Sequence, residues 1–190
     1  MNRIDRLFLI ISYFACSFPV ITTLAEETNV HSYSLPDHGS IQLKVPASWK
    51  GDLRQPPHRL PPTIDFKPGT GKPFEILITP IWPISKDMPS PNAERIRTQV
   101  KRAAEHARPQ AVEHDINLKE LKGASGIGYY FFATDRAPKP DEYKYMTQGM
   151  ILVGDIALAF TILTNDGQDN VIADALSMLK NAVHVKGGAT

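Results

Sequence analysis

From Ser40 to Val45 the chain alternates polar and apolar residues in the order Ser-Ile-Gln-Leu-Lys-Val. That period of two predicts a half-buried strand, ended by Pro46, Ala47, Ser48 and Trp49. Gln55 to Pro62 is proline-rich, with His58 and Arg59 between its two proline pairs. Proline gives a sheet no amide hydrogen, so this stretch reads as loop or polyproline II. Thr63 to Phe66 and Phe74 to Ile78 read as two strands of a hairpin around the turn residues Pro68-Gly69-Thr70-Gly71. Pro80 to Pro91 is a second loop and carries Trp82.

The spacing then changes. Ala93, Ile96, Val100, Ala103, Ala104 and Ala107 share one face at helical period, which predicts a helix over about 92–106, capped by Asn92 or Ser90 and closed by Pro109. Ile116, Leu118 and Leu121 mark a strand, and 126–133, rich in aromatics, marks another. A charged loop at Arg136 to Glu142 precedes the two longest strand candidates, 143–153 and 156–164, joined at Gly154-Asp155. A second helix is predicted over about 169–183, with Val171, Ile172, Ala175, Leu176, Leu179 and Val183 inward. Short connections favour antiparallel pairing, and each helix must cover a sheet face. The expected fold is α+β: an antiparallel sheet of six to seven strands covered by two helices in a layered sandwich.

The first 25 residues form a separate unit. Arg3 and Arg6 precede an apolar run from Leu7 to Ala15, and Thr23-Leu24-Ala25 precedes Glu26-Glu27. A basic start, an apolar middle and a small residue before the cut is the layout of a secretory signal peptide. Two alternatives keep the segment in place. One is an uncleaved anchor over Leu7 to Leu24, although Ser12, Ser17, Pro19, Thr22 and Thr23 dilute it. The other is a lipoprotein acylated at Cys16. Cleavage after Ala25 takes two of the 21 basic and one of the 20 acidic residues and leaves 19 of each. The lone cysteine leaves with it. The expected working chain is one domain, 26–190, stabilised by its core, with cysteine catalysis and thiolate metal sites excluded. The even balance of charge gives no pull toward nucleic acid.

The segment Leu35-Pro36-Asp37-His38-Gly39-Ser40-Ile41-Gln42-Leu43-Lys44-Val45-Pro46-Ala47-Ser48-Trp49 resembles the entry of PsbP-like domains, in which a short hairpin leads into a proline and then a tryptophan. The later order of strand pair, helix, long strands and terminal helix is similar too. That family includes a photosystem oxygen-evolving subunit, a nuclear-import cofactor that binds a small GTPase, and many exported bacterial proteins without assigned activity. The resemblance implies a layered antiparallel scaffold over nearly all of the mature chain. Its members share a scaffold and not a reaction, so it implies no site residue here.

Catalytic motifs fail one by one. Gly123-Ala124-Ser125-Gly126-Ile127 has isoleucine where a nucleophile elbow needs glycine, and a strand follows where a helix is required. Gly69-Thr70-Gly71-Lys72 lacks the first glycine of a phosphate loop, Phe66 standing there, and Pro73 replaces its serine or threonine. Both read as turns. Six histidines, at 31, 38, 58, 106, 114 and 184, include no one-turn pair with a completing carboxylate. Asn165 to Asn170 is oxygen-rich, but a calcium loop in register with Gly167 would begin at Ile162; a helix start capped by Asp166 or Asp169 is expected instead. The first helix carries five basic residues against two acidic ones, which reads as a solvated face or a site for an anionic partner.

These readings converge on an exported, non-enzymatic binding or accessory domain of the periplasm or cell envelope, requiring no metal or cofactor. Its expected partner is a protein or small ligand. Membrane association follows only if the signal segment is retained or Cys16 is lipidated. The expected contacts are Trp82, His58, Arg59 and Arg136, because aromatic and arginine side chains on rigid loops are favoured contact material. The competing readings are a periplasmic hydrolase whose His and Asp groups meet only in space, and a chaperone or neutraliser of a secreted protein.

Overall fold

The computed structural model of the chain describes residues 27–57, 60–83 and 89–187, so the expected signal peptide, Cys16, His58 and Arg59 lie outside the described residues. Ten strands and two helices follow in order. The strands are β1 (Thr28–Leu35), β2 (Gly39–Pro46), β3 (Trp49–Arg54), β4 (Thr63–Pro68), β5 (Glu75–Ile81), β6 (Lys119–Lys122), β7 (Ile127–Thr134), β8 (Tyr145–Val153), β9 (Ile156–Thr164) and β10 (Val183–Val185). Helix α1 (Ala93–Ala107) lies between β5 and β6, and α2 (Asp169–Lys180) between β9 and β10. Every strand pairing is antiparallel, in a seven-stranded sheet ordered β3-β4-β5-β9-β8-β7-β6 and a three-stranded sheet ordered β1-β2-β10. The α+β layered sandwich expected from the pattern is what forms.

Alternation sorts the side chains of the large sheet onto two faces. On one, Ile64, Phe66, Ile76, Ile78, Phe160, Ile162 and Ile151 join Leu35, Ile41, Leu43 and Val45 of the small sheet and Val171, Ala175, Met178 and Leu179 of α2 in a single buried cluster. On the other, Ile96, Val100 and Ala104 of α1 meet Phe131, Ala133, Met150 and Ala157 in a smaller one. Asn92 caps α1, its side-chain oxygen accepting the Arg95 amide at 3.0 Å, and Pro109 turns the chain out through a 3-10 turn at Arg108–Gln110. Past that turn Glu113 anchors β7. Burial alone would raise its carboxyl, but the Thr134 amide at 2.9 Å and hydroxyl at 2.7 Å outweigh it and hold the group below its ordinary value.

Three strands escape the pattern. In β1 only Tyr33 and Leu35 turn inward, and β3 is a charged edge strand interrupted by Gly51. That glycine has a steric cause, since a Cβ there would stand 2.7 Å from the Tyr33 hydroxyl and 2.8 Å from the Phe66 ring. Helix α2 stops at Lys180; Val183, expected on its inward face, is 45% exposed and pairs with Gln42 in β10. The start of α2 also differs from expectation. Its cap position is Gln168, whose side chain accepts the Asn165 amide at 2.7 Å and donates to the Lys72 carbonyl at 3.3 Å, while Asp169 sits inside the first turn. Among the described residues no helix is long and apolar enough to cross a membrane.

Candidate functional site

The two faces of the large sheet are covered unequally. The small sheet and α2 close one face, while on the other α1 packs on β7 and β8. Beyond the helix, toward β9, β5 and β4, the sheet floor is only half-buried at Thr161, Ala159, Leu77, Thr79 and Thr63. Register puts these on the helix side, because Thr161 faces Gln148 and Leu77, and Ala159 faces Met150 and Thr79. A groove results between α1 and the strands. Its middle is a cavity of about 320 Å³ walled by Gln99, Val100 and Ala103 of the helix. At one end Gln99 and Met150 continue into a cavity of about 110 Å³ reaching Arg95 and Trp82. At the other, Ala107, Met146 and Leu163 carry the same faces into a cavity of about 190 Å³ that ends at Tyr143 and Lys144.

The floor mixes apolar side chains with hydroxyl and amide groups. Thr63 and Thr79 share a hydroxyl–hydroxyl bond at 3.0 Å, and the Gln148 amide donates to Thr161 at 3.3 Å. Among the described residues, none that lines the central cavity is ionisable. Charge begins at its border, where Asp65, the register partner of Leu77, is 5% exposed. Arg54 and Lys67 both bind its Oδ2 and both reach Glu75, while Oδ1 is buried with no hydrogen-bond partner among the described residues. Hydrogen bonds to Glu75 first, and to Asp65, hold the Lys67 ammonium above its ordinary value. Tyr143 overlooks the cluster. Burial raises its phenol, Glu75 and Asp65 add to the rise, and Lys67 opposes it.

The residues singled out from the sequence are scattered. Trp82 is 6% exposed, its indole tilted against His38 with ring centroids 4.5 Å apart, so it reaches the groove only as the wall of one end. Arg136 is exposed and tied down, its guanidinium donating to the Ala111 carbonyl at 2.7 Å, which pins the charged loop to the 3-10 turn. Two of the histidines do meet: His38 and His184 line a cavity of about 570 Å³ together with Trp82, Asp37 and Asp155. His31 stacks on Tyr33, and His184 donates from Nε2 to the His38 carbonyl at 2.8 Å. Among the described residues no group of three His, Cys, Asp or Glu side chains stands close enough to hold a metal ion.

The groove residues that pattern reading passed over are Thr63, Leu77, Thr79, Gln148 and Thr161. Each is an ordinary strand residue on the side opposite the main core. A signal does exist in the sequence. One helix over two long hairpins covers too little area, so the second face of β5 and β9 has to stay open, and there β9 carries Ala157, Ala159 and Thr161 and β5 carries Leu77 and Thr79. Comparison with family models, curated proteins and solved structures gives no match.

Proposed function

We propose that the chain is an exported binding domain that holds a small ligand in the groove between α1 and the open half of the sheet. The observation that carries this reading is the central cavity, about 320 Å³ in volume and lined, among the described residues, by apolar, hydroxyl and amide groups with no ionisable side chain. Its size falls within the range of small-molecule sites, roughly 300–1,000 Å³, as does its largely apolar wall with a few polar groups. Acid–base or nucleophilic hydrolysis needs a titratable group at the reacting atoms, and among the described residues the lining of this groove offers none, which favours binding over turnover there. The layered order of strand hairpin, helix, long strands and terminal helix supports a PsbP-like scaffold as part of the same proposal.

Binding is tested by nuclear magnetic resonance titration with octan-1-ol, a neutral chain of suitable width. Saturable shifts are expected at the amides of β5, β9 and α1, and Thr161→Trp, which fills the floor, should weaken them by about tenfold or more, as expected when a pocket of this size is filled. Equal shifts in Thr161→Trp would remove the groove as the site. Export rests on Arg3, Arg6, the apolar run Leu7 to Ala15, and Ala25 before Glu26. Amino-terminal sequencing of protein recovered from the cell envelope should begin at or within a residue or two of Glu26, and recovery of the intact chain in the cytoplasm would count against export.

A further inference from the structure

We infer that the groove takes a single-chain amphiphile with an anionic head, the tail lying along the sheet floor and the head beside Arg102. The inference rests on the groove being the ligand site and adds the class of ligand. Arg95, Gln99, Arg102 and His106 follow one another along α1 at steps of four, three and four. At 3.6 residues per turn they fall within about 60° of each other. Arg95 and Gln99 line the cavities, and helical spacing carries the exposed Arg102 and His106 along the same flank, just outside the lining.

That stripe contains no acid. The helix's two acids, Glu94 and Glu105, lie on the far flank, where Glu105 pairs with Lys101 at 4.0 Å and Arg97 stands over the Tyr129 ring at 5.9 Å. Among the described residues no ion pair engages Arg102 or His106. Across the groove Arg54 and Lys67 are matched by Asp65 and Glu75, so the uncompensated charge belongs to the helix rim.

Rim and floor together set the ligand. A charge laid on the uncharged floor would lose its hydration with no counter-ion, so the body of the ligand is neutral and its anion stays at the rim. The floor strands β5 and β9 are interior to the sheet, their main-chain groups spent on neighbours, so a peptide strand has no edge to join. Three narrow cavities in line along a helix about 22 Å long suit a linear chain better than a compact ring system.

The test compares three octyl ligands of one tail and different heads: octanoate, octan-1-ol and octyltrimethylammonium. Each is titrated into wild type, Arg102→Gln and the Arg95→Gln/Arg102→Gln double variant, followed by amide shifts. All are surface changes, and an unchanged melting temperature checks the fold. Octanoate should bind wild type about tenfold tighter than octan-1-ol, in keeping with one charge-assisted hydrogen bond at a half-open site. The cation should bind weakest, and the double variant should bring octanoate down to the level of the alcohol. Octan-1-ol or the cation binding as tightly as octanoate overturns the anionic head, as does a double variant with unchanged octanoate affinity. If neither octanoate nor octan-1-ol shifts the groove amides of wild type, the groove itself fails as a ligand site.

Discussion

Trp82→Ala is expected to lower the unfolding free energy by about 3–5 kcal/mol, the usual cost of deleting a buried large aromatic. The indole is 6% exposed and packs on His38, joining the Leu35–Gly39 hairpin region to the end of β5. Removing it leaves a hole bordered by Pro83, Ile96 and Met150 at the amino-terminal end of α1. Urea unfolding should show a lower midpoint with an unchanged slope, the signature of lost stability without a change in the surface exposed. A loss below about 1 kcal/mol would contradict the burial. The size of the effect also decides how binding experiments are read: weaker ligand capture by Trp82→Ala reports a damaged fold before it reports a lost contact. Arg102→Gln, at an exposed side chain, supplies the surface comparison and should leave the midpoint nearly in place.

Phe131→Ala should cost a similar amount, about 3–5 kcal/mol, but distribute it differently. Phe131 is fully buried on β7, in the small cluster that holds α1 to the sheet, and its ring side also borders the central cavity. The other face has the larger cluster with α2 and the small sheet. Hydrogen exchange should therefore show α1 amides losing protection first, while β9 and α2 remain protected up to global unfolding. Uniform loss across both faces would mean that the two clusters unfold as one. Because the truncation widens the groove as it loosens the helix, Phe131→Ala is the wrong variant for measuring ligand affinity, and Thr161→Trp is the right one.

The pattern of residues disclosed the helices and the two long hairpins because their sequences each repeat at one period. β8 and β9 join through two residues, and Asn92 caps α1 where the polar stretch ends. It did not disclose β1, β3 or β10. These are edge strands with a single buried flank or less, and a strand that buries two side chains of eight leaves no alternation to read. The second layer was invisible for the same reason, since the small sheet exists only through the pairing of β2 with both ends of the chain. The groove needed positions from α1, β4, β5, β8 and β9 at once. Its basic rim was present in the spacing of Arg95, Gln99, Arg102 and His106, yet a charge count over the whole helix averages that stripe with the acids behind it.

The pairing of β10 with β2 has a kinetic consequence. β2 lies near the start of the domain and β10 at its end, and the bond from His184 to the His38 carbonyl spans 146 positions of sequence. Gln168 and Lys72 close another loop of 96. Contacts this distant are formed late and slow the search for the native state, since the entropy of closing the loop is lost before the contacts form. The small sheet stays at two strands until residues 183–185 arrive, so a nascent chain holds an incomplete second layer. A chain that stops short of Val183 leaves one edge of β2 unpaired and should be cleaved faster in limited proteolysis than the chain that includes β10.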